Sequence, residues 1–484
     1  MRILTVMWSS YLPLLSEAAR DRGIELSAWS TKQIKREPES VARIASEIDS
    51  SDLVLLYRTS DDFWEELEQV VLDMRDRVPV VVVGPEPSYA ALSNVNPEIT
   101  ATVFRYILFG GAINMKNMLA YLASQLFGDP VAFESPEPLA WEGIHHPAVP
   151  GIFSTTADFL AAYRKHLSFE PASFVGLLYT RSNWVNRNLE VEAAIIRALE
   201  ERGLGVVPVF YYSLKDARLG NMGGTDVIEH FLMDGQCPLV DAVIKLTAFF
   251  LGSSRGGVKE SDAPSGAEIL KKLGVPVFAP VISYYKDRAQ WLADADGLGS
   301  QTAWSIAMPE FEGVIEPMVV GASRGISTPE EESYEPLDDR IDKLADRIVR
   351  WVGLRKKPNS EKKIAFILNN NPCASVEATV GGGAHLDTLE SVVDIMKRMA
   401  AEGYEVTPPE NGKALIDEIM NRKAISEFRW TTVQEIVAKG GNLALVENDR
   451  YLEWFGELPD STRARITEAW GNPPGEEKDG VPAA

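Results

Sequence analysis

The sequence predicts an α/β protein organised as three doubly wound parallel-sheet units with additional helices. Three observations point there. One supersecondary unit recurs three times: an apolar strand, a loop, an amphipathic helix, a terminal glycine and a second strand. The strands are continuous apolar runs, the pattern of parallel strands covered on both faces. The chain of 484 residues also exceeds what one hydrophobic core usually supports. The copies are irregularly spaced, which predicts related folds and not a solenoid.

The first copy runs from Ile3–Trp8 through a helix containing Leu15 and Ala19, stops at Gly23 and resumes as Ile24–Ala28. It continues with Leu53–Tyr57, a helix over Phe63–Met74 and the strand Val78–Val83. Pro130, Pro136, Pro138, Pro147 and Pro150 then break the pattern. The second copy comprises Val175–Tyr179, a helix over Leu189–Arg202, Gly203 and Val206–Tyr211. Further strands are expected at Ala242–Thr247 and Val275–Val281, around a glycine-, serine- and charge-rich loop. A helix over Leu337–Val352 and a basic linker from Arg355 to Lys363 follow.

The third copy opens with the apolar run Ile364 to Leu368, which ends at Asn369, Asn370, Asn371, Pro372 and Cys373. Gly381, Gly382, Gly383 and His385 precede a helix whose Leu389, Val392, Val393, Met396, Met399 and Ala400 share one face. Asp387 with Glu390 reads as a capping-box start, and Gly403 as the stop. Helices near Ala414–Met420, Val433–Ala438 (with Thr432 and Glu435 as capping box) and Arg463–Trp470 complete the chain. The units are flavodoxin- or Rossmann-like in pattern. They divide the chain into an N-terminal α/β head domain (1–128), a proline-rich linker and helix (129–172), a second α/β domain (173–330), a helix and linker (331–361) and the start of a third α/β body domain (362–484).

Composition narrows the function. The formal net charge of −22 argues against nucleic acid or an anionic membrane surface as partner. Cys237 and Cys373 cannot build a disulfide framework, and no CxxC pair is present for zinc. No apolar run approaches the ~18 residues of a membrane span, and the N-terminus lacks a signal-peptide pattern, so a cytoplasmic protein is expected. No GxxxxGK[ST] loop occurs, and the Gly381–Gly383 loop has no lysine to reach a terminal phosphate. No directly bound cofactor is expected.

In open α/β sheets ligands sit at the strands' carboxyl ends, which places the candidate residues on two loops. Arg181, Ser182, Trp184 and Asn188 follow the first strand of the second unit. Arginine with tryptophan suits a planar anion, the guanidinium meeting a carboxylate while the indole stacks; a domain-interface patch with Trp184 buried explains them equally. Trp8 to Tyr11 and Arg58 occupy the analogous edge of the first unit. Asn369, Asn370, Asn371, Gly381, Gly382, Gly383 and His385 form the corresponding edge of the third. The glycines either present N–H groups to a carboxylate or serve turn geometry. His385 beside Asp387 reads as a metal or base residue, or as a pocket-lining histidine with Asp387 as helix cap. Adjacent His145 and His146 point opposite ways in an extended chain, so they do not form a metal pair, and no metal site is assigned.

Four segments carry a resemblance. Lys362 to Tyr404, with its NNNPC and VGGGAHLDTLESV strings, resembles the cobalt chelatase large subunit, the CobN family, related to the large subunit of magnesium chelatase. Gly176 to Gly203 is similar to that family's block RSxWvxxNLEVVdaLirALEerG through Arg181, Ser182, Trp184, Asn188, Leu189 and Glu190. Pro309 to Pro317 and Glu468 to Glu476 resemble its PEFdGvIe and aWGxPPGe blocks. Asn369 stands where the family commonly has histidine, and His385 where it has glycine. The family's HxGTHGxxExLPG motif, which follows the last block, is not in this sequence, so the chain resembles the N-terminal portion of such a subunit.

The resemblance implies a tetrapyrrole-binding role in insertion of cobalt into a corrin-ring precursor of cobalamin, with magnesium insertion into protoporphyrin as the related alternative. It implies ATP hydrolysis on AAA+ partner subunits, catalytic residues beyond Ala484 and an inactive fragment. Two other classes stay open at this point: a two-domain glycosyltransferase-like enzyme, and a non-enzymatic tetrapyrrole-binding or scaffold module.

Overall fold

The computed structural model describes the chain except residues 38, 75, 253–264, 326–332, 370–379, 384, 423–432, 441, 443, 474–475, 479–480 and 484. It separates into Met1–Arg355 and Lys356–Ala484.

The first sheet is wholly parallel. Its strands are β1 (Arg2–Met7), β2 (Glu25–Ser30), β3 (Leu53–Tyr57) and β4 (Val80–Val83), in the order β2-β1-β3-β4. Because successive side chains on a strand face opposite ways, each strand feeds two cores. Ile3, Met7, Leu53, Leu55, Val81 and Val83 pack under α1 (Leu12–Asp21) and two later helices. Leu4, Val6, Val54, Leu56, Val80 and Val82 pack on the other face. There they meet α3 (Ser40–Ile48) and α4 (Trp64–Met74), α2 (Thr31–Arg36) being a short helix between β2 and α3. This two-sided burial is why the strands lack polar alternation. The later helices are α5 (Pro97–Phe109) and α6 (Ala112–Phe127), joined by Gly110 and Gly111, both with positive φ.

The second sheet repeats the topology. β7 (Phe174–Thr180), β8 (Gly205–Tyr211), β9 (Ala242–Lys245) and β10 (Val277–Phe278) are parallel, in the order β10-β9-β7-β8. This is the first sheet's strand order read from the opposite edge, the physical counterpart of the repeated sequence unit. α8 (Arg181–Val185), α9 (Glu190–Glu200) and α10 (Gly224–Leu232) lie between these strands, and α11 (Gly266–Leu273) precedes β10. Residues read as proline-rich linker contribute here: β5 (Gly143–His146) and β6 (Val149–Phe153) add to the β8 edge antiparallel, followed by α7 (Thr156–His166).

A third, small sheet was not anticipated. β11 (Val281–Asp287) pairs parallel with β12 (Val319–Ser323), which pairs antiparallel with β13 (Tyr334–Pro336). The strand expected at Val275–Val281 is therefore split, β10 joining the second sheet and β11 the third, with α12 (Arg288–Ala293) after β11. α13 (Asp338–Lys356) packs Ile341, Leu344, Ala345, Ile348 and Val352 against the second sheet's core.

In Lys356–Ala484 the expected third doubly wound sheet is not formed among the described residues. Ile364 to Leu368 carries no strand, and Ile364, Phe366 and Ile367 are exposed, Ile367 by 94%. An apolar run becomes a buried strand only when neighbours satisfy its N–H and C=O groups, and the one described strand pair in this unit is the hairpin Glu476–Lys478 with Val481–Ala483. The unit is otherwise helical: α14 (Thr388–Ala401), α15 (Gly412–Asn421), α16 (Val433–Ala438), α17 (Asn448–Gly456) and α18 (Asp460–Trp470). The α14 cap is half of the expected box. Asp387 accepts from the Glu390 N–H at 3.1 Å, but the Glu390 carboxylate accepts from the Gly412 N–H at 2.6 Å and so ties α14 to the start of α15. Thr432 lies outside the described residues. No helix among the described residues is long and apolar enough to cross a membrane.

Candidate functional site

The loop after β7 is built by residues that bind backbone. Thr180 caps α8 through the Ser182 N–H at 3.3 Å. Arg181, expected to meet a ligand carboxylate, is instead 3% exposed. Its guanidinium donates to the carbonyls of Ala140 at 2.7 Å, Phe109 at 2.8 Å, Leu139 at 3.3 Å and Leu108 at 3.4 Å. It also lies 4.3 Å from the Trp141 ring centroid. Phe109 ends α5, where carbonyls have no helical partner, so a buried cation caps that helix and pins the following segment. Burial pulls the guanidinium down to about 10, still charged at neutral pH.

Asn188 is likewise committed, its amide oxygen accepting from the Tyr334 N–H of β13 at 3.1 Å. Ser182 accepts from the Asn186 amide at 3.4 Å. Both shape the loop. Trp184 is the sequence-predicted member that reaches a cavity. Its indole stacks on Phe210 of β8, centroids 4.1 Å apart at 12°, and it lines a hollow of about 380 Å³.

That hollow also brings in residues the sequence reading missed. Gly110 and Gly111 form one wall, with Ile113, Leu139, Val185 and Leu189 around them. The glycines are required: φ is +69° and +83°, and a Cβ on Gly111 would sit 2.7 Å from Leu139 Cδ1. A double glycine between two apolar helices was the available signal. His145 lines the hollow, its ring 6.5 Å from that of Trp184. Burial first, then neighbouring His146, lowers its pKa, so it is a neutral imidazole at neutral pH. His146 points away, as strand alternation requires, and pairs with Glu200 at 3.1 Å. Arg187, at φ +59°, and Glu137 put one charge of each sign on the lining. Arg187 is exposed, its nearest carboxylate, Glu17, at 3.7 Å. Apolar walls, one indole, a neutral imidazole and an exposed arginine can hold a flat, partly anionic molecule.

Beneath the loop, Glu192 is 2% exposed, where this sequence places a carboxyl inside a helix face. Its Oε1 accepts from the Asn183 amide at 2.8 Å, Oε2 has no partner, and burial pushes the carboxyl up to about 7. In the first unit, Arg58 is held by Glu68 at 2.9 Å and sits over the Tyr89 ring, while Trp8 is 47% exposed.

In Lys356–Ala484, the Gly381–Gly383 segment is a closed turn. The Gly381 N–H donates to the Asn369 carbonyl at 2.7 Å and is therefore not offered to an anion. Gly381 has φ +70°, and a Cβ there would meet Thr388 Cγ2 at 2.9 Å, which supports turn geometry as its role. Gly382, Gly383, Asn369 and His385 are exposed, His385 at φ +62°. Asn370 and Asn371 lie outside the described residues. Among the described residues no group of three His, Cys, Asp or Glu side chains is placed to hold a metal ion.

Two α/β lobes of identical strand order, with a half-apolar hollow beside the leading strand of the second, define a ligand-binding class of α/β protein. The chain belongs to the CobN/Magnesium Chelatase family, whose sequence profile matches residues 104–482. It is 39% identical over 474 residues to an uncharacterized protein of Methanocaldococcus jannaschii, covering 98% of this chain and 36% of that one. It is 26% identical over 484 residues to the aerobic cobaltochelatase subunit CobN of Pseudomonas aeruginosa, covering 96% of this chain and 36% of that one. The catalytic subunit of cobaltochelatase from Mycobacterium tuberculosis shares the fold, with TM-score 0.58 and 21% identity over 98% of this chain and 36% of that one. The chain thus spans about a third of the length of these proteins.

Proposed function

We propose that this chain is the N-terminal part of the large, tetrapyrrole-binding subunit of an ATP-dependent metal chelatase that inserts cobalt into a corrin-ring precursor. The observation that carries the reading is family membership joined to a hollow walled by Trp184, His145 and Arg187. Cobalt is favoured over magnesium because the CobN relative aligns along 96% of the chain, including the first sheet, which precedes the profile match. The family match also sets the glycosyltransferase-like reading aside.

Insertion exchanges one divalent cation for the two pyrrole protons of the ring, so the macrocycle must be gripped while other groups take those protons. Trp184, Leu139 and Leu189 supply an apolar face, and Arg187 pairs with a peripheral carboxylate. His145, neutral at neutral pH, accepts a hydrogen bond from an amide substituent or a ring N–H. The bases that accept the pyrrole protons and the sites that dock AAA+ ATPase subunits belong, on this reading, to the remaining two-thirds of the subunit. ATP is then hydrolysed on those partners, with cobalt entering as substrate.

The test is titration of the protein with a metal-free corrin precursor and, separately, with protoporphyrin, followed by absorbance and tryptophan quenching. Corrin is expected to bind more tightly, and Trp184→Ala with Arg187→Ala to weaken it about tenfold or more, ~1.4 kcal/mol. Unchanged affinity in both variants overturns this site. Preference for protoporphyrin overturns the cobalt assignment and leaves the chelatase class standing.

A further inference from the structure

A second, larger hollow of about 560 Å³ opens beside the carboxyl tip of β4, and its chemistry differs from the first. One wall is the α5 face carrying Thr100, Ala101, Phe104 and Leu108, a stripe at helical spacing. The opposite wall is Leu219 with Asp216 and Arg218, from the segment that follows β8. The cavity therefore lies between the lobe of the first sheet and a loop of the second.

Its charges are spent. Arg218 donates to Asp216 through Nε at 3.0 Å and Nη2 at 2.6 Å, a two-point pairing that neutralises both. The remaining ionisable residue of the lining is Glu86, a carboxylate. A polycarboxylate would be repelled here, which separates this hollow from a macrocycle site.

One polar atom is left over. Thr100 lines the cavity and is 3% exposed, yet its hydroxyl has no hydrogen-bond partner. A helical threonine ordinarily bonds back to the carbonyl four residues earlier, but the Asn96 carbonyl already accepts from the N–H groups of Ile99 and Thr100. A buried hydroxyl without a partner is costly, so a molecule that supplies one recovers that cost on binding.

We propose that this cavity binds an uncharged, largely apolar small molecule that offers one hydrogen-bonding group to the Thr100 hydroxyl. The volume lies within the ~300–1,000 Å³ of ordinary small-molecule sites. Its two walls belong to different lobes, so the occupant braces them together.

The test uses a matched pair of fluorescent probes with the intact chain. N-phenyl-1-naphthylamine is neutral with one N–H donor, and 8-anilino-1-naphthalenesulfonate has the same body with an added anion. The neutral probe is expected to saturate a single site and to bind about tenfold more tightly than the sulfonate. Thr100→Val removes the hydroxyl at constant shape and is expected to weaken the neutral probe about fivefold or more without lowering the urea midpoint. Ala101→Trp fills the hollow and is expected to abolish binding. Equal affinity for both probes, or a neutral-probe affinity indifferent to Thr100→Val, overturns the proposal.

Discussion

Replacing Arg181 with alanine distinguishes a residue that builds the protein from one that binds its ligand. The guanidinium makes two short charge-assisted bonds, to Ala140 at 2.7 Å and Phe109 at 2.8 Å, and two longer ones. At ~1.5–2 kcal/mol for each short bond and ~1 kcal/mol for the Trp141 contact, the gross loss is about 4–5 kcal/mol. Removing a buried charge relieves its desolvation, the effect that pulls its pKa from 12.5 to about 10. Against that relief, carbonyls at Phe109 and Ala140 lose their partner in a site where alanine leaves no donor. The net expectation is a loss of about 3 kcal/mol, with Arg181→Lys falling between, since one ammonium cannot serve carbonyls spread across two segments. Urea unfolding followed by far-UV circular dichroism measures it. A variant within ~0.5 kcal/mol of the parent protein that nonetheless loses tetrapyrrole binding refutes the structural role and restores the ligand role.

Glu192 predicts a pH dependence. Its folded pKa is raised from 4.5 to about 7 by burial, so between those values the folded protein keeps a proton that the unfolded chain has lost. Stability falls as pH rises through that window, by about 3 kcal/mol in all. Glu192→Gln is expected to remove this slope and to be the more stable protein above the window, as read from urea midpoints at pH values on either side. An unchanged slope in the variant rules out Glu192 as its source. Gly111→Ala should cost ~1–3 kcal/mol, because φ is +83° and the new methyl would meet Leu139 Cδ1 at 2.7 Å. A thermal midpoint equal to that of the parent protein would show that the α5–α6 corner is not fixed as described.

Local pattern determined the elements of both parallel sheets in Met1–Arg355. β1, β3, β7 and β8 are each a run of apolar residues long enough for a strand and flanked by turn residues, and the duplicated motif became a duplicated strand order. The helix start at Asp387 was legible for the same reason, since a cap involves residues three apart. The opposite facing of His145 and His146 also followed from strand geometry alone.

Tertiary structure decided everything that depends on distant partners. Ile364 to Leu368 has the composition of a core strand, yet composition records a capacity for burial and cannot supply the neighbouring strand that burial requires. Arg181 and Trp184 lie three residues apart in one motif, and only the fold sends the first to the carbonyls of Phe109 and Ala140 and the second to the hollow. Those carbonyls are 72 and 41 positions away along the chain. Side-chain chemistry is written locally, but which groups it meets is set by long-range packing, and no periodicity within a segment encodes that.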